Sequence, residues 1–297
     1  MLRLAYNTNG WPQHEVADVA GLLAELGYAG IAITPDVHHL NPLRDGLRQA
    51  RELAPRLRDL GLAVAVETGA RFLLDARRKH QPTLLSEPDG ARARLELLRR
   101  CHEIAAALGA ETFSFWSGAW APSGPPAGDA TAPAAAHPAA EPARAQLLDR
   151  LCTGASALLD AAAGSGVTIC FEPEPGMLVG SLAELQEFLK QLRRDELKVM
   201  LDVGHVPVTE RTTPAAALTA LAPHLGGLQL DDARGGVHEH LFPGEGEIDW
   251  AALLAAARAA HFGGLASLEL PRHAHDPVGT ARRAQAFFRE LQSAAGA

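Results

Sequence analysis

Eight short β-forming runs recur along the chain, each followed by a longer segment of helical period, and this alternation leaves few architectures open. The runs are LRLAY (2–6), GIAIT (30–34), LAVAVE (62–67), TFSFW (112–116), VTICFE (167–172), KVMLD (198–202), GLQLD (227–231) and LASLEL (265–270). Most are continuously apolar rather than alternating, as strands are when a parallel sheet is covered on both faces. Between them lie Ala/Leu-rich stretches such as VADVAGLLAELG, LRQARELAPRLRDLG and LELLRRCHEIAAALG. Several close with a glycine just past the last periodic residue, where a helix C-cap is expected. Eight strand–helix units fill 297 residues without leaving a domain-sized block. They predict a single α/β domain over 1–297, a (β/α)8 TIM barrel. An open doubly wound sheet is the competing arrangement, but no GxGxxG follows the first strand.

One segment breaks the rhythm. Residues 121–145 hold 6 of the 20 prolines, 2 glycines and 11 alanines, and read as a flexible Ala/Pro-rich insertion after the fourth strand. On a barrel it would border the catalytic face, as a lid or as a functionless excursion. The 27 basic residues against 35 acidic ones give a net charge of −8, which disfavours the basic face that nucleic-acid phosphates require. Cys101, Cys152 and Cys170 are odd in number and widely spaced, so neither a disulfide framework nor a CxxC knuckle is expected, and a cytoplasmic location fits. No stretch approaches the roughly 18 apolar residues of a membrane span, and the N-terminal MLRLAYNTNGW lacks an export-type apolar region.

Catalytic groups of a barrel come from the C-terminal ends of its strands and the loops that follow. The residues there are Asn7 and Asn9; Asp36, His38 and His39; Glu67 and Arg71; Trp116; Glu172 and Glu174; Asp202 and His205; Gln229, Asp231, Asp232, Arg234, His238 and His240; and Glu269. Glu172, Asp202, Gln229 and Glu269 are spaced by 30, 27 and 40 residues, about one strand–helix unit each time, so four oxygen-bearing side chains converge on one mouth. Their three carboxylates would repel strongly in a low-dielectric cavity without a cation. A divalent metal resolves the conflict, and an oxygen-rich set suits Mn²⁺ or Mg²⁺ better than a thiolate site would, with Co²⁺ or Zn²⁺ also compatible. His238 and His240 alternate in an extended segment and so share a face, as mouth residues or as a hydrogen-bonded loop. The stretch 67–85 gathers Arg71, Arg77, Arg78, Lys79 and His80. It reads as a solvated charged face, unless Arg71 or Lys79 turns inward to hold a phosphate or carboxylate.

The segments CFEPEPG (170–176), MLDVGH (200–205), LQLDDARGGVHEHLFPGEGEIDW (228–250) and SLELP (267–271) resemble the xylose isomerase-like barrel superfamily. That group includes sugar epimerases and isomerases, certain sugar dehydratases and endonuclease IV. The resemblance implies that Glu172 and Glu269 both bind the metal and pass a proton, with Asp202 and Gln229 completing the site. The superfamily usually has His where this chain has Gln229. His205 matches a histidine that touches a substrate oxygen, and Arg234 stands where a substrate-holding arginine can occur. The extra histidines of the three-zinc nuclease are replaced here by Glu67, Trp116 and Gln229, which counts against DNA repair. The expectation is an isomerase or epimerase acting on a small-molecule sugar through an enediolate. Glu172 and Glu269 are its acid–base pair, and His205, Arg234, His238, His240 and Arg71 hold substrate. A dehydratase with the same enolate and a non-catalytic sugar-binding barrel are the alternatives. A homo-oligomer is compatible with the sequence.

Overall fold

The computed structural model describes residues 2–119 and 141–294. Ten strands occur among them: β1 (Arg3–Asn7), β2 (Gly30–Ile33), β3 (Ala63–Glu67), β4 (Thr112–Phe115), β5 (Thr168–Phe171), β6 (Lys198–Asp202), β7 (Leu225–Leu230), β8 (Asp232–Arg234), β9 (Val237–Leu241) and β10 (Leu265–Leu268). Eight of them close a parallel barrel in the order β1-β10-β7-β6-β5-β4-β3-β2, as the eight apolar runs predict. Among the described residues the strands β8 and β9 pair only with each other, as an antiparallel hairpin. Its tip, Gly235–Gly236, carries φ of +62° and +70°, the left-handed pair that a two-residue hairpin turn needs.

Around the barrel run α1 (Val16–Glu25), α2 (Gly46–Asp59), α3 (Pro88–Leu108), α4 (Glu141–Ala162), α5 (Leu182–Leu192), α6 (Val206–Thr209), α7 (Pro214–Leu221), α8 (Trp250–Ala259) and α9 (Pro277–Ala294). The helix ends follow local chemistry. Gly109, at φ +69°, caps α3 as its position in the sequence predicts, and Ser181 with Glu184 forms a reciprocal capping box at the start of α5. No helix of the described residues is long and apolar enough to cross a membrane.

The Ala/Pro-rich segment extends less far than its composition suggests. Helix α4 begins at Glu141, so its last residues are the first turn of a helix; alanine-rich sequence is a strong helix former once proline spacing permits. Residues 120–140 lie outside the described residues.

Strand alternation sorts the side chains into two environments. Outward, Phe113, Phe115 and Phe171 are fully buried against the helices, with Phe171 packing on Phe188 of α5 at 4.6 Å between rings. Inward, the barrel floor is a small cluster of Ala5, Ala32, Ala65 and Leu265. One layer higher, towards the C-terminal ends, the same inward positions change to Asn7, Glu67, Ser267, Asp202 and Gln229, all buried. Small apolar residues seal the floor and polar ones crowd the mouth.

Candidate functional site

The mouth is organised by amides and hydroxyls that hold carboxylates in place. Glu67, at the end of β3, accepts hydrogen bonds from Asn7 Nδ2 and from Ser267 Oγ, the latter at 2.7 Å. Glu269, just past β10, accepts from Asn9 Nδ2 and Gln229 Nε2, both at 2.8 Å. Asn7 in turn accepts from Thr34 Oγ1 at 2.7 Å, which ties β1 to the end of β2. Burial pushes Glu67 and Glu269 up to about 7. It raises Glu172 well above the carboxylate range, and the nearby charges of Glu174, Glu269 and Asp202 add to the effect. Glu174 is also pushed up to about 7, chiefly by burial.

A second cluster lies where β6, β7 and the hairpin meet. Asp202 Oδ1 accepts from the backbone N–H of Gly204 at 2.8 Å, while its Oδ2 lies 3.3 Å from His205 Nε2. Burial drives Asp202 upward, yet His205 and His240 outweigh it and leave the carboxyl below its ordinary value. Burial lowers both His205 and His238, with the Asp202 carboxylate opposing the shift at His205. Their tautomers follow from their partners. His205 Nδ1–H donates to Pro173 O at 3.0 Å, so its Nε2 accepts from His238 Nε2–H at 3.1 Å. His240 Nδ1 lies 2.5 Å from Asp231 Oδ2, but neither atom is aligned for a hydrogen bond. Asp231 is fully buried with both oxygens unpartnered, and burial together with Asp202 raises its carboxyl well above the usual range.

These orphaned atoms test the site for a cation. Asp202 Oδ2, Gln229 Oε1, both oxygens of Asp231 and His240 Nδ1 are buried without hydrogen-bond partners. Buried acceptors are almost always satisfied, so a group of them at one place fits a metal. Among the described residues, three sets of His, Asp and Glu side chains bring potential ligand atoms within 4.8 Å of one another: Asp202 with Asp231, His238 and His240; Glu174 with His205 and His238; and Glu172 with Asp202 and His205. Asp202 is common to two of them. Glu269 is in none of them, and its two oxygens accept from Asn9 and Gln229.

The structure therefore brings Glu172, Asp202, His205, Gln229, His238, His240 and Glu269 to one mouth and leaves Arg234 exposed on β8. Arg71 is partly buried, 3.8 Å from Asp36. Asp231 and Glu67 stand at strand ends in the sequence, where nothing in the residue pattern assigns them a role in the chemistry. Asp231 is two residues past the inward-facing Gln229, so strand alternation alone places it inside. Asp232, by contrast, is a structural anchor. Its carboxylate accepts from the backbone of Ala233, Gly244 and Ile248 and from Trp250 Nε1, which fixes the hairpin to the start of α8.

Known proteins agree with this architecture. A D-psicose 3-epimerase from Enterocloster bolteae is 30% identical over 94 residues, 32% of this chain. The match spans 29% of that curated relative's length. The crystal structure of a 3-keto-D-glucoside 4-epimerase from E. coli superposes with a TM-score of 0.76 at 17% identity, covering 98% of this chain and 100% of that one. A D-allulose 3-epimerase from Methylomonas sp. gives a TM-score of 0.69 at 20% identity, covering 98% of each chain. These structural likenesses are of fold. The profile of the family described as xylose isomerase-like TIM barrel matches residues 20–291. With nearly the whole barrel inside that match, the chain belongs to the xylose isomerase-like TIM barrel family.

Proposed function

We propose that this protein is a divalent-metal-dependent epimerase or isomerase of small sugars. The observation that carries the reading is the pairing of Glu172 and Glu269 across the mouth. They arise from β5 and β10, which are separated around the ring by β6 and β7. Their environments push them apart in role. Glu269 accepts two amide hydrogen bonds, which favour its ionised form, and is suited to remove a proton from the carbon beside a carbonyl. Glu172, raised by burial and by neighbouring carboxylates, is suited to carry a proton. Removal at one face and return at the other passes through an enediolate and inverts the carbon. His205 is held through Nδ1 by Pro173 O, and a substrate hydroxyl would take the place of His238 at its Nε2.

Asp202 anchors the proposed metal seat, with Glu172, Gln229 Oε1 and Glu269 as the oxygen set and Asp231, His238 and His240 alongside. An ion held there would polarise the substrate carbonyl and make the adjacent C–H more acidic. Mn²⁺ or Mg²⁺ suits the oxygens, and the adjoining imidazoles widen the choice to Co²⁺ or Zn²⁺. The similarity to a D-psicose 3-epimerase supports a ketose as substrate.

Incubation of metal-loaded protein with a panel of ketopentoses and ketohexoses in D₂O is the test. Rearranged sugar with solvent deuterium at the inverted carbon is the expected result. Glu172→Gln and Glu269→Gln should each cost about 10²–10⁴ in rate, the range for loss of a general acid or base. Absence of exchange with every sugar in the panel rejects the reading.

A further inference from the structure

The basic stretch after β3 has no place in this chemistry, yet part of it is turned inward. The backbone N–H of His80 donates to Arg71 O at 2.5 Å and closes the loop between them. Ala70 and His80, at its two ends, hold left-handed φ values of +45° and +65°. Such a conformation is disfavoured for a non-glycine residue, so the pinch is held by its surroundings. It sets Arg71 and Lys79 close together. Arg77 and Arg78 on the same loop are exposed, and Arg78 is paired with Asp75. Lys79 is partly buried and has no hydrogen bond or ion pair among the described residues; its charge acts on Arg71, Glu174 and His238.

A third cation stands behind them. Arg94 of α3 is buried, its guanidinium lies 4.3 Å over the Trp116 ring, and both terminal nitrogens lack a hydrogen-bond partner. His80 meets the same ring edge-on at 5.0 Å and bonds Gly69 O through Nδ1. Burial pushes His80 down to about 3, and Lys79, Arg94 and Arg71 all act on it in the same direction. Three cations thus converge on one neutral imidazole. Asp36, 3.8 Å from Arg71, is the one carboxylate ion-paired to any of them among the described residues. A buried guanidinium without a counter-charge costs several kcal/mol, and an anion nearby would relieve it. Lys79 is near enough to Glu174 and His238 for its charge to act on both, so the lobe adjoins the mouth.

We propose that the lobe formed by Arg71 and Lys79, with Arg94 behind Trp116, is a subsite for a terminal oxyanion, so that the barrel takes sugars bearing a phosphate or carboxylate at the end away from the reacting carbon. The proposal rests on the sugar-epimerase reading for the reacting end alone; the anion subsite has its own binding test. Arg71 and Lys79 make the contacts, and Arg94, sealed beneath the indole, supplies field and holds the ring.

Inorganic phosphate is titrated into wild type, Lys79→Met, Arg71→Met and, as an exposed control on the same loop, Arg77→Met, with tryptophan fluorescence as readout and circular dichroism to establish folding. Phosphate should bind wild type and Arg77→Met alike and about tenfold or more weaker in the other two, as expected for loss of a charge-assisted contact. No binding, or equal binding by all four proteins, overturns the subsite. In parallel, kcat/KM is compared for a ketohexose, its terminal phosphate and the matching keto-uronate. Preference for the phosphate or for the uronate identifies the source of the oxyanion, and the ratio of anionic to neutral substrate should fall about tenfold in Lys79→Met. Preference for the neutral sugar overturns the proposal. Phosphate binding lost in Lys79→Met while no sugar exchanges in D₂O upholds the subsite and sinks the epimerase reading instead.

Discussion

Two neighbouring aspartates, Asp231 and Asp232, show how one residue step separates chemistry from construction. Asp231 points into the barrel with both oxygens unpartnered, whereas Asp232 points away and accepts four hydrogen bonds. Asp232→Ala strands buried N–H groups of the hairpin and of Trp250, and should lower unfolding free energy by about 3 kcal/mol in urea denaturation. Asp231→Asn should leave stability within about 1 kcal/mol, because it exchanges a buried carboxyl for an amide of the same shape without stranding donors, and should instead weaken metal binding as read by calorimetry. Of the mouth residues, those at strand ends were legible in the sequence, since alternation and strand spacing fix which side chains turn inward. The hydrogen-bond pattern was not. That Gln229 donates to Glu269 while leaving its own oxygen bare depends on packing between β7 and β10, which are parallel neighbours only once the barrel closes.

At the level of elements, the eight barrel strands were legible because each is a compact apolar run bounded by turn residues. The run at 198–202 matches β6 to the residue. The hairpin was not, since β8 has three residues and no alternating pattern, and the ends of β9 are partly exposed. Its geometry is nevertheless what carries His238 and His240 over the mouth. At Gly235 and Gly236 an added Cβ would meet nothing within 4 Å, so any cost of substitution is a backbone cost. Gly235→Ala with Gly236→Ala should strain the turn by roughly 1–2 kcal/mol per residue. If half of that appears as misplacement of the histidines, metal binding weakens by about tenfold, which isothermal titration would read. The loop after β3 gives a pH signature. His80 stays neutral down to about 3 when folded but protonates near its ordinary value when unfolded. As pH falls from about 6.5 towards 3, the unfolded chain gains a proton that the folded one does not, and His80 subtracts up to about 1.4 kcal/mol per pH unit. Denaturation of His80→Gln beside wild type across this window should show a shallower loss of stability on the acid side.

For the molecule as a whole, the mouth concentrates repulsion that the rest of the barrel must withstand. Glu67, Glu172, Glu174, Asp231 and Glu269 are all raised by burial and by nearby carboxylates, Asp202 acting on each of them, so a bound cation should stabilise the entire fold. At a hundredfold excess over its dissociation constant, a ligand adds about 2.7 kcal/mol. For a chain of this size that predicts a Tm rise of roughly 4 °C with Mn²⁺, reversed by chelation and absent in Asp202→Asn. An unchanged Tm across the divalent series would leave the metal seat without support. The hairpin β8–β9 has a different consequence, one of descent. Because its strands pair only with each other, its length and charge are uncoupled from barrel closure. Descendants of such a chain can lengthen, shorten or recharge it by small insertions at the glycine tip, while the eight-stranded wall keeps its register. The fold thereby inherits a replaceable tool, and new substrates can be reached by exchanging that tool rather than by rebuilding the wall.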